Sequence, residues 1–341
     1  MKKVIKIEAI ILAVVVLAAA VMLLISAGAL MWIKEPVVME RQSAPIATEA
    51  PAEPEAAAEP DASAEPVQTE ESGHEAQSEP REITAKNYFV YDVREGEYLQ
   101  QKGDLNAKLY PASITKLLSV YVLLQHMDPG DTVVVGDALT LVQEDSSVAN
   151  LQEGDELTVS QLIAGMMLPS GNDAAQVMAV AAGRTIAGDK NLSPEAASKV
   201  FVEEMNKQAV ALGMTESHFV NADGFHHDDH YTSMSDLVTL ATKILADPAI
   251  VEYTSTVKEN VQLGDRTEKW KNTNALLNPE YEHFIPGTIG LKTGYTGEAG
   301  SCLVSAFYMG DRLLIIGVFG CPAYTEDRYL DTAELFHNTV I

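Results

Sequence analysis

Cysteine is nearly absent: Cys302 and Cys321 are the only two thiols in 341 residues. This excludes a disulfide framework and any Cys/His metal spacing. The two are read as small buried thiols, with a single cross-strand disulfide as the lesser reading. Cations are scarce as well. Lys and Arg number 23 against 49 Asp and Glu, for a net charge of −26. Nucleic acid and anionic membrane surfaces repel such a chain, so no nucleic-acid partner is expected. Aromatics make up 6% of the residues, and none falls within residues 34–82. No internal repeat is visible. The charge is also uneven: about +2 over residues 1–33, about −9 over 34–86 and about −19 over the rest.

Three regions precede or form the folded part. Residues 1–8 are a short basic head. Ala9 to Ile33 is an uncharged, mostly apolar run, long enough as a helix to span a bilayer core of ~30 Å. The preceding lysines place residues 1–8 inside the cell and the remainder outside. A cleaved secretory signal, with Ala27-Gly28-Ala29 as its cut site, is the competing reading. Both readings export the folded part. Residues 34–82 are rich in Ala, Pro and Glu, as in Ala50-Pro51-Ala52-Glu53-Pro54. They cannot bury enough apolar surface to offset ordering and are expected to be a disordered spacer. Its r.m.s. span would be ~35–40 Å.

Residues 83–341 read as one globular domain. Tyr88–Val93 and Tyr98–Gln101 are predicted strands joined by a turn. Tyr110-Pro111-Ala112-Ser113-Ile114-Thr115-Lys116 opens an apolar helix predicted to run to about Met127, stopped by Asp128-Pro129-Gly130. Short strands and turns follow to Leu157. Helices are expected at Val159–Leu168, about Asp173–Arg184, Pro194–Leu212 and Ser235–Ala246. Strands are expected at Thr288–Lys292, Ser301–Met309 and Arg312–Gly320, the last two joined by Gly310-Asp311. Strands, then helices, then strands argue an α/β (α+β) fold. Its terminal segments would share one antiparallel sheet flanked by a mostly helical part.

Ser113 and Lys116 lie three apart, and residues three apart share a helix face. A hydroxyl beside an amine is the arrangement of a nucleophile with its own base. The pattern alone is weak. Ser255-Thr256-Val257-Lys258 repeats it in a β-branched stretch expected to be a strand, where residues three apart face opposite sides. Two further segments strengthen the first pair. Ser170-Gly171-Asn172 falls in a break between helices, where Ser and Asn are also ordinary helix caps. Lys292-Thr293-Gly294 falls at the end of a predicted strand. A strand edge there can pair with an extended peptide, and Gly294 permits close approach to the backbone.

Ser-x-x-Lys, Ser-x-Asn and Lys-Thr-Gly, in this order, form the motif set shared by β-lactamases and penicillin-binding proteins. The surrounding residues resemble the D-alanyl-D-alanine carboxypeptidases, the low-molecular-mass penicillin-binding proteins. Tyr110–Lys116, Leu168-Pro169-Ser170-Gly171-Asn172-Asp173-Ala174-Ala175, Leu212-Gly213-Met214 and Asn272–Leu277 with Gly290–Thr296 all carry the likeness. It covers roughly residues 84–335. The resemblance implies a β-lactamase/DD-peptidase-like fold. It also implies removal of the terminal D-alanine from peptidoglycan stem pentapeptides through a serine ester, with β-lactams as inhibitors. Many such proteins carry a second β-rich domain and a C-terminal amphipathic helix. Here the chain ends at Ile341, and the N-terminal segment would do the anchoring.

By the same resemblance, Ser113 is the nucleophile, Lys116 its base, and Ser170 a proton relay toward the leaving group. Asn172 would hold the substrate backbone. Lys292 and Thr293, with Thr296, would hold the terminal carboxylate beside Gly294. The backbone N–H groups of Ser113 and Tyr295 would form the oxyanion hole. No cofactor or metal is implied. Glu144, Asp145, Asp223 and Glu298 all remain open as water activators or bystanders. His226-His227-Asp228-Asp229-His230 is read as a polar, solvated loop rather than a metal site. A β-lactamase, a wall endopeptidase or a non-catalytic β-lactam sensor are the alternatives.

Overall fold

The computed structural model describes residues 81–340. The predicted membrane span at 9–33 and nearly all of the predicted spacer lie outside them. Among the described residues no helix is long and apolar enough to cross a membrane.

The chain starts with β1 (Asn87–Asp92) and β2 (Glu97–Lys102), the predicted hairpin. A 3₁₀ turn, Ala112–Thr115, leads into α1 (Lys116–Leu123). The predicted helix is thus shorter than expected, and Ser113 sits on the tighter turn rather than in the α-helix. β3 (Thr132–Val134) and β4 (Glu156–Thr158) pair with each other. Four helices follow: α2 (Val159–Met167), α3 (Asn172–Ala187), α4 (Pro194–Leu212) and α5 (Met234–Leu245). Their ends follow ordinary capping chemistry. Ser193 Oγ accepts from Ala196 N at the start of α4, Pro194 takes the first helical position, and Gly213 closes the helix at φ 88°; only glycine adopts that conformation without cost.

α6 (Pro248–Ser255) corrects the sequence reading. Its β-branched residues were expected in a strand. Asp247 caps the helix and Pro248 occupies its first turn, and these local signals outweigh β-propensity. Ser255 therefore ends a helix while Lys258 begins β5 (Lys258–Leu263). β5 pairs with β6 (Arg266–Lys271) in a hairpin not foreseen from sequence.

The last strands are β7 (Thr288–Thr296), β8 (Gly300–Met309) and β9 (Arg312–Cys321), closed by α7 (Asp327–Val340). The main sheet runs β2-β1-β9-β8-β7, with antiparallel pairing throughout. The terminal segments do share one sheet, as the element order implied. Side chains alternate between its faces. Val304, Ala306, Ile315 and Phe319 pack toward the helices. Leu303, Phe307, Leu314 and Ile316 pack beneath α7 through Tyr329 and Phe336. Cys302 and Cys321 are both free and buried. β7 forms one edge of the sheet and runs four residues beyond the predicted Lys292 end, so Lys292-Thr293-Gly294 lies inside the strand. Arg81, assigned to the spacer from sequence, pairs with Asp327 and Asp331 on α7.

Candidate active site

Ser113 is presented by a strained turn. Pro111 enters it at φ −75°, and Ala112 stands at φ 48°, a conformation that costs a residue with a side chain of order 1–3 kcal/mol. In a 3₁₀ turn, residues i and i+3 eclipse. Lys116 Nζ accordingly donates to Ser113 Oγ at 2.9 Å. The same amine donates to Asn172 Oδ1 at 2.7 Å and to the Asp223 carbonyl at 2.7 Å. Lys116 is fully buried. Burial pushes its pKa down from 10.5 to about 8, partly opposed by Asp223 and Asp173. A buried amine with this pKa exists partly as the free base near neutrality, as a proton acceptor for a hydroxyl requires.

The inter-helix loop forms the second wall. Ser170 adopts φ 63°. It is held there because Ser147 Oγ donates to its carbonyl at 2.8 Å and Gly171 N donates to Gly165 O at 3.1 Å. Asp173, 3% exposed, accepts from Ala149 N and Leu151 N, which draws the 145–151 loop over the cleft. Asn172 already has protein partners before any ligand arrives. Its oxygen is engaged by Lys116, and its Nδ2 donates to Ser146 Oγ at 3.1 Å. Ser170 Oγ makes no hydrogen bond among the described residues; it lines the same lobe of the cleft as Ser113.

β7 is the third wall. Gly294 is required there: a Cβ on it would lie 2.8 Å from Pro111 O and 3.2 Å from Ser113 N. The strand therefore runs against the nucleophile turn and brings Tyr295 beside Ser113. Thr293 Oγ1 and Thr273 Oγ1 share a hydrogen bond at 2.6 Å. Lys292 lies behind the wall, 1% exposed, with one acceptor, Thr293 O at 3.1 Å. Burial, then the nearby charges of Lys116 and Arg328, hold its pKa well below the ordinary lysine value.

The cleft has two lobes that meet at Ser113. One, about 260 Å³, is lined by Ser170, Thr273, Thr293, Gly294 and Arg328. The other, about 330 Å³, is lined by Asn172, Phe225, His226, Thr296 and Glu298. Thr296 lines the larger lobe and Thr293 the smaller, and the Thr296 hydroxyl accepts from Ala299 N in the hairpin turn. Asp145 and Tyr295 line both lobes. Arg328 was missed from sequence because it lies on the unpredicted α7. Its Nη1 reaches Gly294 O at 3.5 Å, and its buried Nε has no partner. Of the open acids, Asp223 is buried, with its carboxylate taken by Gln176 Nε2 and Phe225 N. The histidine segment is not simply solvated: His230 is 2% exposed. Among the described residues no group of three His, Cys, Asp or Glu side chains forms a metal site.

An antiparallel sheet backed by helices, with a buried serine–lysine pair between an Ser-x-Asn loop and a Lys-Thr-Gly strand, defines the serine–lysine acyl-transfer class of folds. Residues 73–323 match the D-alanyl-D-alanine carboxypeptidase family Peptidase_S11, and the chain belongs to that family. The carboxypeptidase DacF of Bacillus subtilis is 31% identical over 247 residues, which cover 71% of this chain and 59% of DacF. DacA of Escherichia coli K12 is 32% identical over 249 residues, covering 70% of this chain and 57% of DacA. The chain therefore spans somewhat under three fifths of these relatives' length. The Streptomyces K15 DD-transpeptidase superposes with a TM-score of 0.68 at 28% identity, covering 76% of this chain and 99% of that one. Penicillin-binding protein D2 of Listeria monocytogenes, solved in an ampicillin-bound form, gives 0.61 at 27%, covering 75% and 97%.

Proposed function

We propose that the protein is a serine D-alanyl-D-alanine carboxypeptidase acting on peptidoglycan stem pentapeptides. Lys116, as the free amine, takes the proton of Ser113 Oγ, and the oxygen attacks the carbonyl of the penultimate D-alanine. The C–N bond then breaks, and Ser170 passes a proton to the departing amine. Water afterwards hydrolyses the ester and frees Ser113. The Ser113 and Tyr295 N–H groups meet the developing oxyanion. Thr293 and Arg328 take the terminal carboxylate, with the amine of Lys292 behind them. Asn172 keeps Lys116 in place and turns its amide N–H₂ toward the substrate backbone. β-Lactams, which mimic the D-Ala-D-Ala end, acylate Ser113 in the same way.

The observation that carries this reading is the 2.9 Å bond from a fully buried Lys116 amine to Ser113 Oγ. The test is release of free D-alanine from a synthetic pentapeptide. Wild type should release it, and Ser113→Ala should lose at least about four orders of magnitude in rate. No release by wild type under any buffer condition sinks the proposal. A long-lived β-lactam adduct argues carboxypeptidase, and rapid β-lactam turnover argues β-lactamase.

A second reading is favoured by one comparison. The Streptomyces K15 protein, nearly all of which this fold covers, is named a DD-transpeptidase. An added amine acceptor that diverts the acyl group from water into a new amide supports that reading. We also propose that residues 9–33 anchor the protein in the cell membrane, with the catalytic domain outside and residues 34–82 as the spacer. The apolar length of 9–33 and the basic residues before it support this. Intact-mass measurement on membrane-derived protein tests it, since a cleaved signal would shorten the chain.

A further inference from the structure

The histidine-rich loop has no part in the acyl transfer described above, yet it is bound tightly to the turn that carries the nucleophile. Leu109, just before that turn, pairs with Thr232 through two backbone hydrogen bonds of 2.8 and 2.9 Å. The Asp223 carbonyl receives Lys116 Nζ, and the Ala222 carbonyl receives Ser119 Oγ at 2.6 Å. Gly224, at φ +84°, packs directly against the Ala112 carbonyl, where no Cβ fits. Two further contacts are made by histidine side chains: the His226 ring meets Tyr110 edge-on at 4.8 Å, and His230 Nε2 lies 2.8 Å from Thr115 Oγ1. Thr115 is the residue immediately before Lys116 and two after Ser113.

Both ring nitrogens of His230 are occupied. Val220 N donates to Nδ1 at 3.2 Å, so Nδ1 is the bare nitrogen of a neutral ring. Nε2 therefore carries the hydrogen and donates to Thr115 Oγ1. No lone pair is left for a metal, and with 2% exposure the ring is not a solvated loop residue. Phe219 stacks edge-on against it at 5.4 Å. Burial, then the neighbouring His218, His227, His226 and Lys116, push its pKa down to about 3, so the neutral donor persists across the range in which Lys116 titrates.

We propose that His230 is a positioning residue for acyl transfer: through its buried hydrogen bond to Thr115 it fixes the 3₁₀ turn that sets Ser113 Oγ against Lys116 Nζ. The proposal rests on Ser113 being the nucleophile. Gly224, Phe225 and His226 line the larger lobe, but the smaller one, which would take the terminal carboxylate, is built from β7, the Ser-x-Asn loop, Asp145, Ser147, Thr273 and Arg328, with no residue of 222–230. Loosening the turn should therefore slow bond formation while leaving ligand binding intact. A merely structural role would lower both together with thermal stability.

The test uses a fluorescent penicillin, with time courses at rising concentration that separate the acylation rate constant from the preceding dissociation constant. Thr115→Val removes the hydroxyl at nearly constant shape, and Thr115→Ser keeps it. His230→Ala removes the donor. One lost buried hydrogen bond corresponds to a change of about three- to tenfold. Thr115→Val is expected to acylate about tenfold more slowly with a dissociation constant within about twofold of wild type, and Thr115→Ser to restore the rate. His230→Ala should cost little more on the Thr115→Val background, because a broken contact cannot be broken twice. Wild-type acylation with an unimpaired Thr115→Val overturns the inference alone. So do additive losses, or equal losses in rate, binding and melting temperature. Failure of the wild-type chain to acylate overturns the acyl-transfer reading, and this inference with it.

Discussion

Two buried lysines belong to different walls of the cleft, and their surroundings differ. Lys116 on the nucleophile turn donates to three oxygens. Lys292 on β7 donates to one. Both are pressed toward the neutral amine by burial. Lys116 recovers part of its basicity from the carboxylates of Asp223 and Asp173, whereas Lys292 is pushed further down by the cations Lys116 and Arg328. A base must be held in one position against one proton, so its hydrogen bonds are complete before substrate arrives. A group meant to attract an anion is most effective when no anion of the protein already satisfies it. The turn is thus finished in the free protein, while the strand side lacks a negative charge that a carboxylate-ended ligand brings.

Removing the finished side should have the larger effect. Lys116→Ala is expected to lower penicillin acylation by about three orders of magnitude, within the range for a general base. In wild type the amine is protonated below about 8, so the acylation rate should fall tenfold per pH unit below that value and level off above it. A profile flat from pH 6 to 9 would contradict Lys116 as base. The linkage to stability has the same sign. Between about pH 8 and 10.5 the unfolded chain binds this proton more tightly than the folded one, so raising pH there favours the fold.

Lys292→Gln should act on the other side of the comparison. The KM for a D-Ala-D-Ala peptide is expected to rise about 10- to 100-fold, the worth of a hydrogen bond to a charged group. The melting temperature should hold or rise, because a buried amine with a single acceptor is removed. A large loss of stability in this variant would erase the distinction between the two lysines. Gly294→Ala tests the contact between the sides. Its methyl would meet Pro111 O at 2.8 Å, and parting β7 from the turn should cost about tenfold in acylation, as small misplacements of reacting groups do. Ser255→Ala marks the floor. Its hydroxyl bonds only its own helix, at Glu252 O, and activity should stay within about twofold, as for a substitution away from the site and the core.

The pairing of the two reacting groups was legible in the sequence because its signals are local: Pro111 sets the start, and Ser113 and Lys116 lie three positions apart. The sheet was legible for the same reason, since alternation marks Ser301–Met309 and Arg312–Gly320 whatever they pair with. Failures occurred where long-range packing or competing local signals decided. The Tyr253–Val257 stretch looks like a strand until Asp247 and Pro248 are counted as helix starters. β5 and β6 carried a usable signal in alternating Val261 and Leu263 around a Gly264-Asp265 turn. Arg328 carried none, since its place in the cleft depends on α7 docking under the sheet. His230 sits in a run of polar residues that reads as wet. Its burial comes with ring contacts to Thr115 and Phe219, which no neighbouring residue announces.

The sheet order has a consequence for how this protein is made. β1 lies between β2 and β9, and Arg312 Nε bonds Asp92 Oδ2 across 220 residues of chain. Contacts so distant in sequence form late, because their loop-closure entropy falls due before they yield any stabilisation. β7, the wall that receives substrate, hangs from β8 and through it from β9. The first strand must therefore wait, unpaired on one edge, until nearly the whole domain has been synthesised. Only then is there a wall for a ligand to meet, so a nascent or prematurely terminated chain has the nucleophile's residues but no cleft in which to use them.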